Sequence, residues 1–353
     1  MKNFFDQELK IQNKKIGENY PTFIIAEAGV NHNGSLKNAF KLIDLAKKAG
    51  ADAVKFQTFN TNSSTIKNLK KAKYQMRNKK DRESQYEMLK KLELTYEDHI
   101  KIKNYCRKKK IIFFSTPSDI ESVSLLEKIN VPCYKISSVD LNNYELIEKV
   151  CKTKKPIIIS TGMSDIRDVI QSRKKILKFK NKKIIFLHCV SSYPTKNTDL
   201  NLNSIQFLKN KVKSLIGFSD HTVGYLGSIL SVACGACVIE KHITLSKKMI
   251  GPDHKISMGP KNFIDMIKKV RETESILGKK EKKMNISEQN TYSVTKKVFV
   301  AKDTIMKGKK LKLSMLNFKS AGKGLNHREI RPFLAKKVKR TIFRNTPIKK
   351  IFF

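Results

Sequence analysis

The chain has 353 residues, with 73 Lys and Arg against 31 Asp and Glu, a net charge of +42. Lys supplies 63 of the cations and Arg only ten, whereas a nucleic-acid reader leans on Arg, whose planar fork matches guanine and phosphate. No run reaches the roughly 18–20 apolar residues of a membrane span; the longest, Leu226 to Ile239, is broken by Gly and Ser.

The opening stretch, MKNFFDQELKIQNKK, is charged throughout and has no apolar signal-peptide core. Residues 1–20 therefore read as an N-terminal extension of a cytoplasmic protein. From 21 to 278 short apolar runs alternate with helical stretches. The runs are FIIAEAG (23–29), DAVKFQT (52–58), IIFFSTP (111–117), CYKISS (133–138), PIIIST (156–161), KIIFLHC (183–189), LIGFSD (215–220) and CVIEKH (237–242). Each is nearly continuous in apolar residues, as strands of a doubly covered parallel sheet are. Between the first two, Leu36, Ala39, Phe40, Ile43 and Ala46 keep helical spacing, and Gly50 stands where a C-cap belongs. Eight such units over about 260 residues predict an α/β fold, a closed (β/α)8 TIM barrel.

Every run ends in polar, reactive residues: Glu27; Lys55 and Gln57; Thr116; Lys135 and Ser138; Ser160 and Thr161; His188; Ser219 and His221; Glu240 and His242. In a barrel these gather at the C-terminal rim, where such enzymes place their chemistry. Strands also end in polar residues because loops begin there, but that accounts for one or two ends, not eight. The six Cys are scattered and read as small buried residues in a reducing compartment. Cys234 and Cys237 lack the second pair or flanks of a metal or redox motif. After Gly278 the chain becomes charged and turn-prone, a linker over 279–292. A small β-rich domain over 293–353 follows, with VTKKVFVA and AKKVKRTIF around SAGKGL.

Read together, the motifs E-A-G-V-N-H-N-G, ADAVKFQTF, STPSD, YKISSVDLNN, PIIISTGM, S-D-H-T, E-K-H and G-P-D-H resemble the sialic acid synthase family. That family comprises N-acetylneuraminate synthases and their bacterial legionaminate and pseudaminate counterparts. The match runs from about Phe23 to about Lys337. It includes a C-terminal domain resembling type III antifreeze protein (SAF).

The resemblance implies a metal-dependent transferase. It condenses phosphoenolpyruvate with an N-acylated amino sugar, N-acetylmannosamine or a 2,4-diacetamido-6-deoxy analogue, to a nine-carbon acid and phosphate. It implies that Lys55, Thr116, Lys135, Ser138, Ser160 and Ser219 hold the phosphate and carboxylate of phosphoenolpyruvate by charge-assisted hydrogen bonds. His221 and His242, closing adjacent strands, then hold a divalent ion, Mn2+ before Mg2+. Glu27 becomes the catalytic base. Gln57, Asp140, Tyr193 and Asp253 orient the sugar, with Glu240 beside them; Asp140 stands where the better-known members have Glu. His188 and His254 are weaker ligand candidates, and His32 is assigned no ligand role.

In the family the C-terminal domain covers the partner's barrel mouth, which implies a domain-swapped homodimer. A loop there reads K-R-P-G-x-G and its Arg reaches the sugar's acyl group; here KSAGKG puts Ser320 at the Arg position, implying a weaker hold on the sugar. ESQYEMLKKLEL (83–94) and VDLNN lean toward the legionaminate branch. A barrel acting on a sugar phosphate needs extra cations for the second phosphate, and its motifs do not match. A basic polyanion-binding protein on a dead scaffold predicts lost site residues, yet Glu27, Lys55, Lys135, His221 and His242 are all intact. Neither a membrane nor a nucleic acid is expected as a partner.

Overall fold

The N-terminal extension folds. In the computed structural model, which describes residues 4–76 and 82–353, β1 (Glu8–Ile11) and β2 (Lys14–Gly17) form an antiparallel hairpin. The extension's first three residues lie outside the described residues. Leu9, Ile11 and Ile16 are buried with Phe23, Ile25, Ile185 and Leu215, residues from the early parts of barrel strands. The hairpin thus plugs the barrel's N-terminal end.

Among the described residues eight parallel strands close the barrel, in the order β10-β3-β4-β5-β6-β7-β8-β9. They are β3 (Phe23–Gly29), β4 (Ala53–Thr58), β5 (Ile112–Pro117), β6 (Tyr134–Ile136), β7 (Ile157–Ser160), β8 (Ile184–Cys189), β9 (Leu215–Asp220) and β10 (Val238–His242). Each falls on one of the eight apolar runs, so the predicted barrel is borne out. The surrounding helices are α1 (Leu36–Ala49), then the short α2 (Thr61–Ser64) and α3 (Gln85–Lys90) in the long connection after β4. They continue as α4 (Tyr96–Lys109), α5 (Ile120–Lys128), α6 (Tyr144–Lys152), α7 (Ile166–Lys178), α8 (Ser204–Val212), α9 (Leu226–Ala233) and α10 (Pro260–Leu277). Ser35, Thr95, Asp119, Asn143 and Asp165 cap their helices by accepting first-turn backbone N–H groups.

The runs look uniformly apolar because both faces of each strand are buried, but the faces differ. Ile24, Ala26, Val54, Phe113, Ile157, Ile159, Phe186 and Phe218 point outward into the helices. Phe23, Ile25, Ala53, Ile112, Phe114, Ile158, Leu187 and Val238 fill the interior. Continuing the inward series by two residues reaches Glu27, Lys55, Thr116, Ser160 and Glu240.

Gly217 belongs to the inward series on β9, where an added Cβ would lie 2.5 Å from Leu187 Cδ2 and 2.7 Å from both Val238 Cβ and the Val238 carbonyl. Gly217→Ala is expected to destabilise the barrel by about 1–3 kcal/mol or more, the usual range for overpacking. Urea unfolding monitored by circular dichroism measures it.

The chain divides into two units, Met1–Gly278 and Lys279–Phe353. In the second, the exposed opening carries α11 (Gln289–Thr295), followed by β11 (Lys297–Ala301) paired antiparallel with β12 (Leu316–Ser320) and by α12 (His327–Ile330). Phe299, Ile305, Leu311, Leu325, Val338, Ile342 and Ile348 form its core. AKKVKRTIF, expected to be β-type, forms no strand, only single bridges at Lys337 and Ile342. Arg340, two residues after buried Val338 and two before buried Ile342, is exposed, which breaks strand alternation. Five of the six cysteines are buried and all six are free. Among the described residues no helix is long and apolar enough to cross a membrane.

Candidate active site

Parallel register brings the inward ends of the strands together. His242 pairs with Glu27, Glu27 with Lys55, Gln57 with Thr116, and Glu240 with Ser219. Lys55 and Lys135 are each only 3% exposed. Lys55 Nζ lies 2.7 Å from Glu27 Oε2 and 3.7 Å from Glu240 Oε2, and donates to Thr116 Oγ1 at 2.8 Å. Lys135 Nζ lies 3.4 Å from Glu240 Oε1, which also accepts from Ser219 Oγ at 3.1 Å. Glu240 therefore bridges both lysines. Buried ion pairs contribute little net stability, because desolvation offsets their attraction. A four-charge cluster at a barrel mouth is instead poised to exchange partners with a charged ligand.

The two carboxylates are driven apart in acidity. Burial pushes the Glu27 carboxyl up to about 7; Lys55 opposes the rise and Glu240 adds to it. Burial also acts to raise Glu240, but Lys135 and Lys55 outweigh it and hold this carboxyl down at about 2. Burial depresses the Lys135 ammonium. Glu27 is oriented by Gln57, whose Nε2 donates to Glu27 Oε1 at 3.1 Å. Gly29 makes room for that contact: its φ is +51°, and a Cβ would come within 3.2 Å of Glu27 Oε1 and 3.3 Å of Gln57 Nε2.

The second cluster is aromatic and imidazole. The rings of His221 and His242 have centroids 5.5 Å apart. His221 Nδ1 donates to the Val190 carbonyl at 2.9 Å, which in the neutral ring leaves the lone pair on Nε2. His242 Nδ1 is buried without a hydrogen-bond partner, 4.0 Å from Asp253 Oδ2. Burial holds the His242 pKa well below its ordinary value, so the ring is neutral. Burial raises Asp253 to about 6, against the pull of His221. Tyr193 packs on His221 at 4.3 Å and meets His242 edge-on at 6.3 Å. Tyr74, from the connection after β4, stacks on Tyr193 at 4.8 Å.

Among the described residues no three His, Cys, Asp or Glu side chains form a ready cage for a metal. The two imidazoles with Asp253 beside them are the available donor set, and the unpartnered, buried Nδ1 of His242 fits a ligand atom. Both clusters line one cavity of about 770 Å3, with Phe59, Met88 and Leu89 on its apolar side. That volume suits a small-molecule site.

The remaining expected residues divide. Ser138 accepts from the Gly162 N–H at 3.0 Å, and the Ser160 hydroxyl is buried with no hydrogen-bond partner; both line the cavity. Asp140 also lines it, but its carboxylate is engaged by Ser137 Oγ at 2.6 Å and Asn143 Nδ2 at 3.1 Å within its own loop. Two strand-end residues do not join the rim cluster. His188 and Thr161 fall in the outward series, so His188 Nε2 bonds the Leu200 carbonyl at 2.7 Å and Thr161 Oγ1 the Leu187 carbonyl at 2.9 Å. Both border a neighbouring cavity of about 620 Å3. His254 holds Thr244 Oγ1 at 2.7 Å and Asn33 Oδ1 at 3.1 Å, latching its loop to the one after β3. Sequence reasoning gave Glu240 too small a part, although the two-residue step from Val238 aims it inward. Tyr74 carried no signal, being one aromatic in a polar loop.

Residues 42–282 match the NeuB family, from the first barrel helix to just past the barrel. The chain belongs to the NeuB family. It is 40% identical to the N,N'-diacetyllegionaminic acid synthase of Campylobacter jejuni, over 89% of this chain and 95% of that one. It is 38% identical to the synthase of the same name from Legionella pneumophila, over 90% of each chain. Among solved structures it is similar to the N-acetylneuraminic acid synthetase of Leptospira borgpetersenii in complex with citrate. The TM-score there is 0.72 at 36% identity, covering 81% of this chain and 95% of that one. The NeuB match includes every rim residue named above except Glu27 and Gly29, which precede it on β3.

Proposed function

We propose that this protein condenses phosphoenolpyruvate with an N-acylated amino sugar and water, giving a nonulosonic acid and phosphate. The observation that carries this reading is the pair of buried lysines bridged by Glu240 at the floor of a cavity that also holds the imidazoles of His221 and His242. Relatives in the family that are named as synthases of such acids support it.

Phosphoenolpyruvate carries up to three negative charges. Lys55 and Lys135 take its phosphate and carboxylate, displacing Glu240, and the hydroxyls of Thr116, Ser138, Ser160 and Ser219 complete the hold. Gln57, Asp140, Tyr193 and Asp253 orient the open-chain sugar so that its aldehyde C1 meets the enol C3. As that bond forms, positive charge develops at C2. Glu27, held by Gln57, accepts one proton of the water that adds there and returns it to the former aldehyde oxygen; the tetrahedral carbon then loses phosphate by C–O cleavage, its hydroxyl proton leaving with the phosphate as the keto group forms.

A divalent ion is part of the proposal. With Glu27 ionised, as a base must be, the cluster of Lys55, Lys135, Glu27 and Glu240 sums to zero charge, so a trianion entering a buried site needs a further counter-charge. His221 and His242, with Asp253 adjacent, would hold that ion, Mn2+ before Mg2+, and when bound it would supply polarisation of the sugar aldehyde.

Among acylated amino sugars we favour the 2,4-diacetamido-6-deoxy class. The wall of Val30, Phe59, Met88 and Leu89 suits a methyl group better than a hydroxymethyl or a phosphate. Phosphate release with N-acetylmannosamine, its 6-deoxy diacetamido analogue and the altrose-type isomer tests both levels. The 6-deoxy diacetamido sugar is expected to lead in kcat/KM by roughly 10–200-fold, the range for one apolar contact. Equal use of N-acetylmannosamine would overturn the sugar, and no phosphate release from any of the three would overturn the reaction. The six free cysteines support a reducing, cytoplasmic setting. The SAF-like reading of the C-terminal unit and a domain-swapped homodimer complete the proposal, supported by the family resemblance. Light scattering should then give about twice 40.5 kDa.

A further inference from the structure

Outside the cavity, on the outward series of the same two strand ends, lies another buried charge pair. Asp220 of β9 and Lys241 of β10 are direct cross-strand partners. They are 1% and 2% exposed, and Lys241 Nζ is 3.0 Å from Asp220 Oδ2. Each immediately precedes one of the two histidines. We propose that Asp220 and Lys241 are positioning residues, a clamp that fixes His221 against His242 and so sets the geometry of the divalent-metal donors. This rests on the metal reading above.

The clamp acts through Thr222. Asp220 Oδ1 accepts the Thr222 N–H at 2.8 Å and its hydroxyl at 2.7 Å, while Lys241 Nζ donates to the Thr222 carbonyl at 2.8 Å. All three polar groups of Thr222 are thereby held by the ion pair. Asp220 is itself fixed by Ser228, whose Oγ donates to Oδ2 at 2.5 Å. His221 thus sits between two residues that cannot turn, and Lys241 carries the restraint to His242 on the next strand. The His221 carbonyl also accepts the Thr195 N–H at 3.0 Å, which joins the loop bearing Tyr193 to the same frame.

Stability alone does not account for this arrangement. A buried ion pair replaced by well-packed apolar residues is often neutral or more stable. What apolar residues cannot do is direct the N–H, hydroxyl and carbonyl of one turn residue at once. Partners behind metal ligands typically change metal affinity when removed, by about 10–100-fold.

The test is Mn2+ titration calorimetry on the full chain without substrates, well below its unfolding temperature, with thermal unfolding measured in parallel. Asp220→Asn keeps the shape and an acceptor but removes the charge; Lys241→Met keeps the length of the side chain. Each should weaken Mn2+ binding about 10–100-fold and leave phosphoenolpyruvate affinity, measured separately at saturating Mn2+, within a few-fold. The double variant removes the charge imbalance, so its unfolding temperature should recover toward wild type while Mn2+ binding stays weak. Wild-type Mn2+ affinity in the double variant would show a structural pair only and overturn the clamp. Wild-type protein that binds no Mn2+ overturns the metal reading and the clamp together. Binding that His221→Ala abolishes, but the Asp220 and Lys241 variants leave intact, overturns the clamp alone.

Discussion

Replacing His221 or His242 by Ala should each lower turnover at least ~100-fold, because changes in the groups behind metal ligands alone cost about 10–100-fold. Removing divalent ions from the wild-type protein should abolish phosphate release, and Mn2+ should restore it. The prediction follows from two features of the site. The His242 ring is neutral and its Nδ1 is buried with no hydrogen-bond partner, an arrangement that costs free energy unless something else occupies the atom. The charge cluster beside it is balanced before substrate enters. Full activity in excess chelator would sink the metal assignment and leave the two histidines to hydrogen-bond the sugar directly.

Glu27→Gln should reduce turnover by about 10²–10⁴-fold while substrate binding stays within a few-fold of wild type. Gln keeps the contact to Gln57 but cannot accept the proton. It also releases Lys55 from its 2.7 Å ion pair, so phosphoenolpyruvate affinity should hold or tighten. The pH profile gives the sharper readout. Burial raises the Glu27 carboxyl to about 7, and a general base works only when ionised. In the wild type kcat/KM should therefore fall as pH drops through about 7, and Glu27→Gln should lack that limb. A loss of phosphoenolpyruvate affinity as large as the loss of turnover would make Glu27 structural instead.

The barrel was legible because each strand is buried on both faces and each helix is amphipathic, so composition alone marks the alternation. The rim was legible as a set of reactive residue types. Which of them converge depends on a two-residue count along each strand. Counted from Ile25 and Ala53, it sends Glu27 and Lys55 inward; counted from Ile184 and Phe186, it sends His188 outward, between β8 and the chain leading to α8. Glu240 was undervalued for the same reason: the pairing of β10 with β9 sets it beside Ser219, and closure of the barrel brings it within reach of both lysines. Tyr74 lay beyond reach: its place over Tyr193 is decided by the path of a long connection, not by any local pattern. The β1–β2 hairpin was hidden by its charged residues, Glu8, Lys10, Lys14 and Lys15, which outnumber the three apolar ones that enter the barrel.

That hairpin bears on how the chain reaches its native state. It leaves the ribosome before the barrel strands, yet Ile185, Leu215 and Val238, which share its buried cluster, arrive more than 160 residues later. Until then Leu9, Ile11 and Ile16 have only the earlier members of that cluster, such as Phe23 and Ile25, beside them, and loop-closure entropy opposes contacts of such separation. Closing the barrel and plugging its base are therefore late, coupled events. A nascent chain halted before β9 would carry an open sheet edge and an incompletely covered apolar hairpin together, two surfaces prone to association with other unfinished chains.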